Sequence, residues 1–184
     1  HGHAPVNERG TMSGTWWIAT GFALAIGASV APVMISYGLR ELAQTVHVRR
    51  RLIVMGAAGG AVGAAVAVAG ARQADSLWWL PALLAWALTL GAVATCDARI
   101  RRIPTRLLVR GSALIAALLM LAAVATGDWR ALVVTAAAVL ASGAVVALCW
   151  RIAGVGFGDV RLAAAGGLGL GHVTTMSVAV GLAL

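Results

Sequence analysis

Two aspartates of this 184-residue chain stand next to long apolar segments. Asp97 ends one apolar run and is followed six residues on by Ile103 and Pro104, whereas Asp159 follows a glycine-rich turn at the start of another. A charged residue at the centre of a membrane helix costs roughly 2.5–3.5 kcal/mol on insertion scales, so the first hypothesis for such a group is a functional one. Two neighbouring carboxylates can share one proton, because both ionising at close range is unfavourable. One then acts as general base on a water molecule and the other donates a hydrogen bond to a carbonyl, which is enough to hydrolyse a peptide bond.

Residues around the two aspartates support this interpretation. We expect Gly156 and Gly158 to adopt backbone angles closed to other residues and to let a substrate strand approach closely. A helix beginning just after Asp159 would favour its ionised form. Pro104 suits the first position of the helix that follows Asp97. The competing interpretation is that each carboxylate pairs with a nearby arginine, Asp97 with Arg101 and Asp159 with Arg161.

The remaining acids need no explanation beyond solvation, because they fall in predicted loops or tails: Glu8, Glu41, Asp75 and Asp128. The two cysteines, Cys96 and Cys149, are too few for a zinc site with the available histidines, and we predict two reduced, packed thiols. The sequence therefore implies neither a metal ion nor another cofactor.

The composition is that of a membrane protein. Hydrophobic residues make up 61% of the chain, charged residues 11%, and the mean hydropathy is +0.92. These values predict an all-α, polytopic membrane helix bundle. The net charge is +8, and every one of the 14 basic residues is arginine. Because the arginines lie between apolar runs, we interpret them as topology determinants that contact anionic lipid headgroups, and we expect no nucleic-acid partner.

The apolar runs predict about six to seven transmembrane segments. Five are long enough to cross a bilayer, at about 15–38, 53–71, 77–96, 107–126 and 130–150. A sixth begins near Val160 as a short helix to about residue 171, and a further one begins at His172 or Val173. That last run reaches only Leu184, so we expect the natural protein to continue. Residues 1–14 are predicted to be a polar N-terminal tail or an appended remnant, and 15–184 the membrane domain.

The arginines are distributed unequally between the two sides of the predicted bundle, eleven against three, which places the N-terminus outside and both aspartates at cytoplasmic helix ends. The external side has only Arg9, Arg72 and Arg130. Glycines four residues apart predict close helix–helix contacts at Gly56/Gly60, Gly59/Gly63 and Gly167/Gly171.

Taken together, Asp97 with Ile103-Pro104 and the later G-F-G-D-V-R-L at residues 156–162 resemble the type IV prepilin peptidase family of GxGD-type membrane aspartyl proteases. The resemblance implies that Asp97 and Asp159 are catalytic, with Gly156, Gly158, Pro104 and Arg161 as supporting motif residues. Thr105 stands where the family commonly has Asn, and Arg161 where it has Lys.

The resemblance also implies the substrates and the location. The substrates would be prepilins or pseudopilins of type IV pilus or type II secretion systems, cleaved after a short basic leader at the cytoplasmic face of a bacterial or archaeal membrane. The predicted loop at 39–52 is too short for the family's cysteine-rich zinc insert. We therefore expect a short-form peptidase, and S-adenosylmethionine is not implied.

Three alternatives stay open at this point. The chain could be part of a proton-coupled transporter, since intramembrane acids and glycine-broken helices also occur there. It could be a catalytically silent membrane assembly subunit. It could also be a presenilin-like intramembrane protease, although the Ile103-Pro104 element favours the prepilin branch. The oligomeric state is left open by the sequence.

Overall fold

The protein is all-helical throughout the residues that its computed structural model describes, which are 9–41, 50–73, 76–154 and 156–170. These residues form one short 3₁₀ turn, Leu77–Trp79, and the α-helices α1 (Arg9–Glu41), α2 (Arg50–Gln73), α3 (Leu80–Ile100), α4 (Thr105–Thr126), α5 (Trp129–Ala153) and α6 (Phe157–Leu170). The prediction of an all-α, polytopic helix bundle is confirmed.

Within the described ranges, the first five helices are long and apolar enough to cross a membrane. The sixth, α6, has 14 residues, in agreement with the short helix predicted from its glycines. The further segment predicted from His172 or Val173 lies outside the described residues. Helix α1 begins at Arg9, inside the stretch predicted as a tail, and its 33 residues include Pro32.

The helices end where the sequence provides a residue that can leave the helix. Gly127 and Gly154 close α4 and α5 with positive φ angles of 73° and 70°, a region that glycine enters without steric cost. Asp128 then begins α5, since its side chain accepts a hydrogen bond from the backbone N–H of Ala131 at 3.1 Å. These connections are short, so α4, α5 and α6 run alternately up and down.

Helix α3 has a central position in the bundle, because it contacts α1, α2, α4 and α6. Two groups of buried side chains surround it. One of them lies at the end where α3 stops and α4 and α6 begin, and we call it the motif-end cluster. Its buried members are Ile35, Leu39, Ala92, Val93, Cys96, Leu107, Leu108 and Ala165, with Ile103 and Leu162 packed against them.

Helices α1 and α2 approach each other so closely that only glycine fits at the crossing. A Cβ built on Gly60 would overlap the backbone carbonyl of Gly27, and one built on Gly56 would lie 3.0 Å from Ile35 Cδ1. The predicted Gly56/Gly60 contact is therefore confirmed. Gly59 behaves differently, because a Cβ there would have no neighbour within 4 Å.

We expect Gly60→Ala to lower the stability of the bundle by roughly 1–3 kcal/mol, because the added methyl forces two backbones apart. The measurement is thermal unfolding of the purified protein in detergent. Gly59→Ala is the matched control and should be neutral or stabilising by up to about 1 kcal/mol, since alanine has the higher helix propensity. Equal stabilities of the two variants would contradict this packing.

Candidate active site

Asp97 lies in the last turn of α3 and is partly buried. Its carbonyl oxygen accepts a hydrogen bond from the backbone N–H of Arg101 at 2.6 Å, and Arg101 ends the helix with a φ of 50°. Asp97 follows Trp86 by eleven residues, which places the two side chains within about 20° of each other around the helix axis. The Trp86 indole donates hydrogen bonds to the carbonyls of Ala165 and Gly166, each at 3.1 Å. Asp97 therefore lies on the side of α3 that faces α6.

The connection from α3 to α4 is only four residues long and ends at a buried proline. Pro104 is among the most completely buried side chains of the described residues. It occupies the N-cap position with an extended ψ of 100°, and α4 begins at Thr105. The prediction that Pro104 is the first helical residue is therefore wrong by one position. The reason is that its ψ is extended, so Pro104 precedes the helix although its carbonyl accepts the first helical hydrogen bond, from the backbone N–H of Leu108 at 3.1 Å.

Glu41, at the end of α1, caps the start of α4. Its two carboxylate oxygens accept hydrogen bonds from the backbone N–H groups of Arg106 at 2.8 Å and Leu107 at 3.1 Å. Pro104 has no side chain that could make these bonds, and a carboxylate at a helix N-terminus is favourable for both hydrogen bonding and the helix dipole. The interpretation of Glu41 as a merely solvated loop acid is wrong. No local sequence signal could have indicated its role, because its partners are 65 and 66 residues away.

The end of α1 also packs directly against the site. Gly38 faces Cys96, Pro104 and Leu107, and a Cβ at Gly38 would be 2.9 Å from the Cys96 sulfur. The Cys96 thiol itself donates to the carbonyl of Ile35 at 3.8 Å. Cys96 is thus a buried packing residue as predicted, whereas Cys149 is exposed, so the prediction of a packed thiol is wrong there.

Asp159 lies in the first turn of α6 and is exposed. The helix begins two residues before it, at Phe157, so the expected helix start just after Asp159 is wrong by three residues. The backbone N–H of Asp159 donates to the carbonyl of Gly156 at 3.0 Å, which closes this first turn. The carboxylate is therefore near the positive end of the helix dipole, within the range where that field acts.

The motif glycines act through close contact and not through unusual backbone angles. Among the described residues, positive φ angles occur at Arg101, Gly127 and Gly154, so the prediction of special angles at Gly156 and Gly158 is wrong. Gly158 instead packs on the α3–α4 connection, where a Cβ would lie 3.0 Å from Ile103 Cδ1. A Cβ at Gly156 would lie 3.3 Å from Asp159 Oδ2, so glycine leaves room for that carboxylate.

The fold thus brings the two predicted motifs together at one end of the bundle. The residue before Asp159 contacts Ile103, six residues after Asp97, and Leu162 packs in the motif-end cluster beside the last turns of α3. Arg161, two residues after Asp159 in α6, is exposed. Within the described ranges, no three His, Cys, Asp or Glu side chains converge in a way that could hold a metal ion.

Comparison with known families gives one match. The model of the type IV leader peptidase family matches residues 82–184, which is more than half of the chain and includes both aspartates. The chain belongs to the type IV leader peptidase family. No curated protein and no solved structure gives a significant match.

Family membership and the helices agree on the general character of the protein. As a type IV leader peptidase family member with five apolar helices of membrane-spanning length among its described residues, it is an integral membrane protein of a peptidase family. The matched region begins inside α3, so α1, with Gly38 and Glu41, lies outside it. Gly38 nevertheless packs against Pro104 in the α3–α4 connection, and Glu41 accepts hydrogen bonds from the first turn of α4.

We expect Gly158→Ala to destabilise the protein because its methyl group would press on Ile103 Cδ1. Ile103→Val removes that atom, and the other nearby Ile103 atoms would be 3.7 Å away, an ordinary contact distance. The double variant should therefore be more stable than the sum of the single effects by roughly 0.5–3 kcal/mol, measured by thermal unfolding. Gly166→Ala, in open space on the same helix, is the control. Strict additivity would show that the two motifs are not in contact.

We expect Glu41→Ala to lower the stability by roughly 0.5–2 kcal/mol, the range measured for lost N-caps. Amide hydrogen exchange at the start of α4 should rise in the same variant, because two backbone donors lose their acceptor. Arg40→Ala alters the exposed neighbouring residue and should leave both readouts unchanged. Unchanged exchange in Glu41→Ala would contradict the capping role.

Proposed function

We propose that this protein is an aspartyl endopeptidase that removes the short basic leader of prepilin or pseudopilin substrates, with Asp97 and Asp159 as its catalytic pair. The observation that carries the proposal is the contact between Gly158 and Ile103, which joins the two aspartate-bearing motifs in a member of the type IV leader peptidase family. Family membership favours a peptidase over a transporter, and replacement of the two aspartates separates a peptidase from a silent assembly subunit.

The proposed reaction uses water as the nucleophile. One ionised carboxylate removes a proton from the water, and the resulting hydroxide forms a bond to the scissile carbonyl carbon. The second carboxyl, in its protonated form, donates a hydrogen bond to the carbonyl oxygen and stabilises the tetrahedral intermediate. When the carbon–nitrogen bond breaks, the departing amine takes up a proton and the pair returns to its singly protonated state. In this proposal Asp159, which is exposed, acts on the water, and Asp97, which is partly buried, acts on the carbonyl.

The position of the pair suits a substrate with a polar leader and an apolar helix. The aspartates are at helix ends, where a peptide can be bound in extended form outside the hydrocarbon layer. The exposed arginines at this end, among them Arg101, Arg102 and Arg151, favour its assignment to the cytoplasmic face. A leader on the cytoplasmic side of a substrate whose helix stays in the membrane would then arrive at the proposed site.

The test is co-expression with a prepilin and detection of leader removal on a gel. We expect Asp97→Asn and Asp159→Asn each to abolish detectable cleavage at normal membrane levels, because an amide can neither remove a proton from water nor share one with its partner. Asp128→Asn is the matched control, since Asp128 caps α5 at the other end of the bundle. It should retain full cleavage. Cleavage retained by either of the first two variants would end the two-aspartate proposal.

A further inference from the structure

A cavity of about 430 Å³ lies between α1, α3 and α4, away from the two aspartates. Apolar side chains form most of its walls, including Ile26, Leu84, Leu88 and Leu114. Ile26 and Leu114 are exposed large hydrophobics. The cavity is therefore a groove that opens sideways, toward the region a bilayer would occupy.

The groove has the length and the apolar lining of a site for a hydrocarbon chain. Along α1 it extends from Ile26 to Tyr37, eleven residues or about 16 Å of helix. An extended acyl chain could enter it.

One end of the groove is polar and positively charged. The Arg110 guanidinium donates a hydrogen bond to the Tyr37 hydroxyl, and both residues line the groove. A guanidinium has five N–H donors, so this bond leaves donors available for an anion. Glu41, at the end of α1, accepts hydrogen bonds from the backbone of α4.

The charged end also lies near the ends of α1 and α4, from where a long side chain can extend to the lipid headgroups. Arg110 is five residues, or about 7.5 Å, from the start of α4, and Tyr37 is about 6 Å from the end of α1. Helix α4 has 22 residues and a length of about 33 Å, close to the thickness of the hydrocarbon core. Arginine side chains near a helix end extend toward phosphates, and tyrosine is enriched at the same level.

We propose that this groove binds one acyl chain of an anionic phospholipid, with the lipid phosphate on Arg110 and Tyr37. The combination of an apolar groove that opens toward the bilayer with a cationic side chain near its helix ends carries the proposal. It is independent of the peptidase reaction, because no groove residue belongs to either aspartate motif.

The experiment is native mass spectrometry of the full chain, stripped of lipid and titrated with phosphatidylglycerol or with phosphatidylcholine of the same acyl chains. Phosphatidylglycerol should bind as a single tight adduct and more strongly than phosphatidylcholine. Arg110→Gln should weaken phosphatidylglycerol binding by roughly fivefold, the effect of one arginine at an anionic surface, and bring the two lipids close together. Arg151→Gln, an exposed arginine outside the groove at the same end of the bundle, is the control and should change nothing.

Two further variants test the apolar part of the groove. Ala85→Leu and Leu114→Trp add bulk to the groove from α3 and α4, and each should weaken the adduct of both lipids. Leu114 is 55% exposed, so its replacement keeps the test valid if the core change at Ala85 impairs folding. Equal loss in Arg110→Gln and Arg151→Gln, or undiminished adducts in both filled variants, would overturn the proposal. A groove-dependent dimer in place of a lipid adduct would overturn it as well.

Discussion

The need to satisfy every backbone donor at the edge of a membrane shapes this structure at one place above all, the start of α4. The first N–H groups of a helix have no partner within the helix, and Pro104 offers the first turn of α4 no side-chain acceptor. The carboxylate of Glu41 supplies that acceptor from the end of α1. This fixes α1 against the α3–α4 connection, so Ile103 and Pro104 are held in one position. The part of the chain that carries Asp97 thus depends on a helix outside the family match.

The position of Asp159 depends on the close packing of α6, a short, glycine-rich helix. Helix α6 lies between α3 and α5, and a Cβ at Gly167 would overlap the backbone of Val139, whereas one at Gly169 would overlap the ring of Trp86. The Trp86 indole also donates hydrogen bonds to two backbone carbonyl oxygens of α6. Larger residues at these positions would push α6 outward and carry Asp159 away from the α3–α4 connection. Gly158, Gly167 and Gly169 of α6 therefore allow the close packing that positions this helix.

Several outcomes show where inference from the sequence succeeds and where it stops. The helices and the pairing of Gly56 with Gly60 follow from local composition and small-residue spacing, and the structure agrees. The structural reasons expected for Gly156, Gly158 and Pro104 were partly wrong, because the two glycines have no positive φ and Pro104 precedes α4 by one position. Backbone angles and exact helix starts depend on contacts that the sequence does not display. Glu41 was missed altogether, because a capping partner 65 residues away leaves no periodic or motif signal.

The sequence by itself determined that this chain is a helical membrane protein, and it indicated which two carboxylates differ from the other acids. It could do so because hydrophobic length and an acid beside an apolar run are local properties with large free-energy consequences. Only the tertiary structure decided that Gly158 contacts Ile103, that Asp97 lies on the α6-facing side of α3, and that a charged-ended groove separates α1 from α4. These features arise from the relative placement of helices, which packing of side chains far apart in the chain determines.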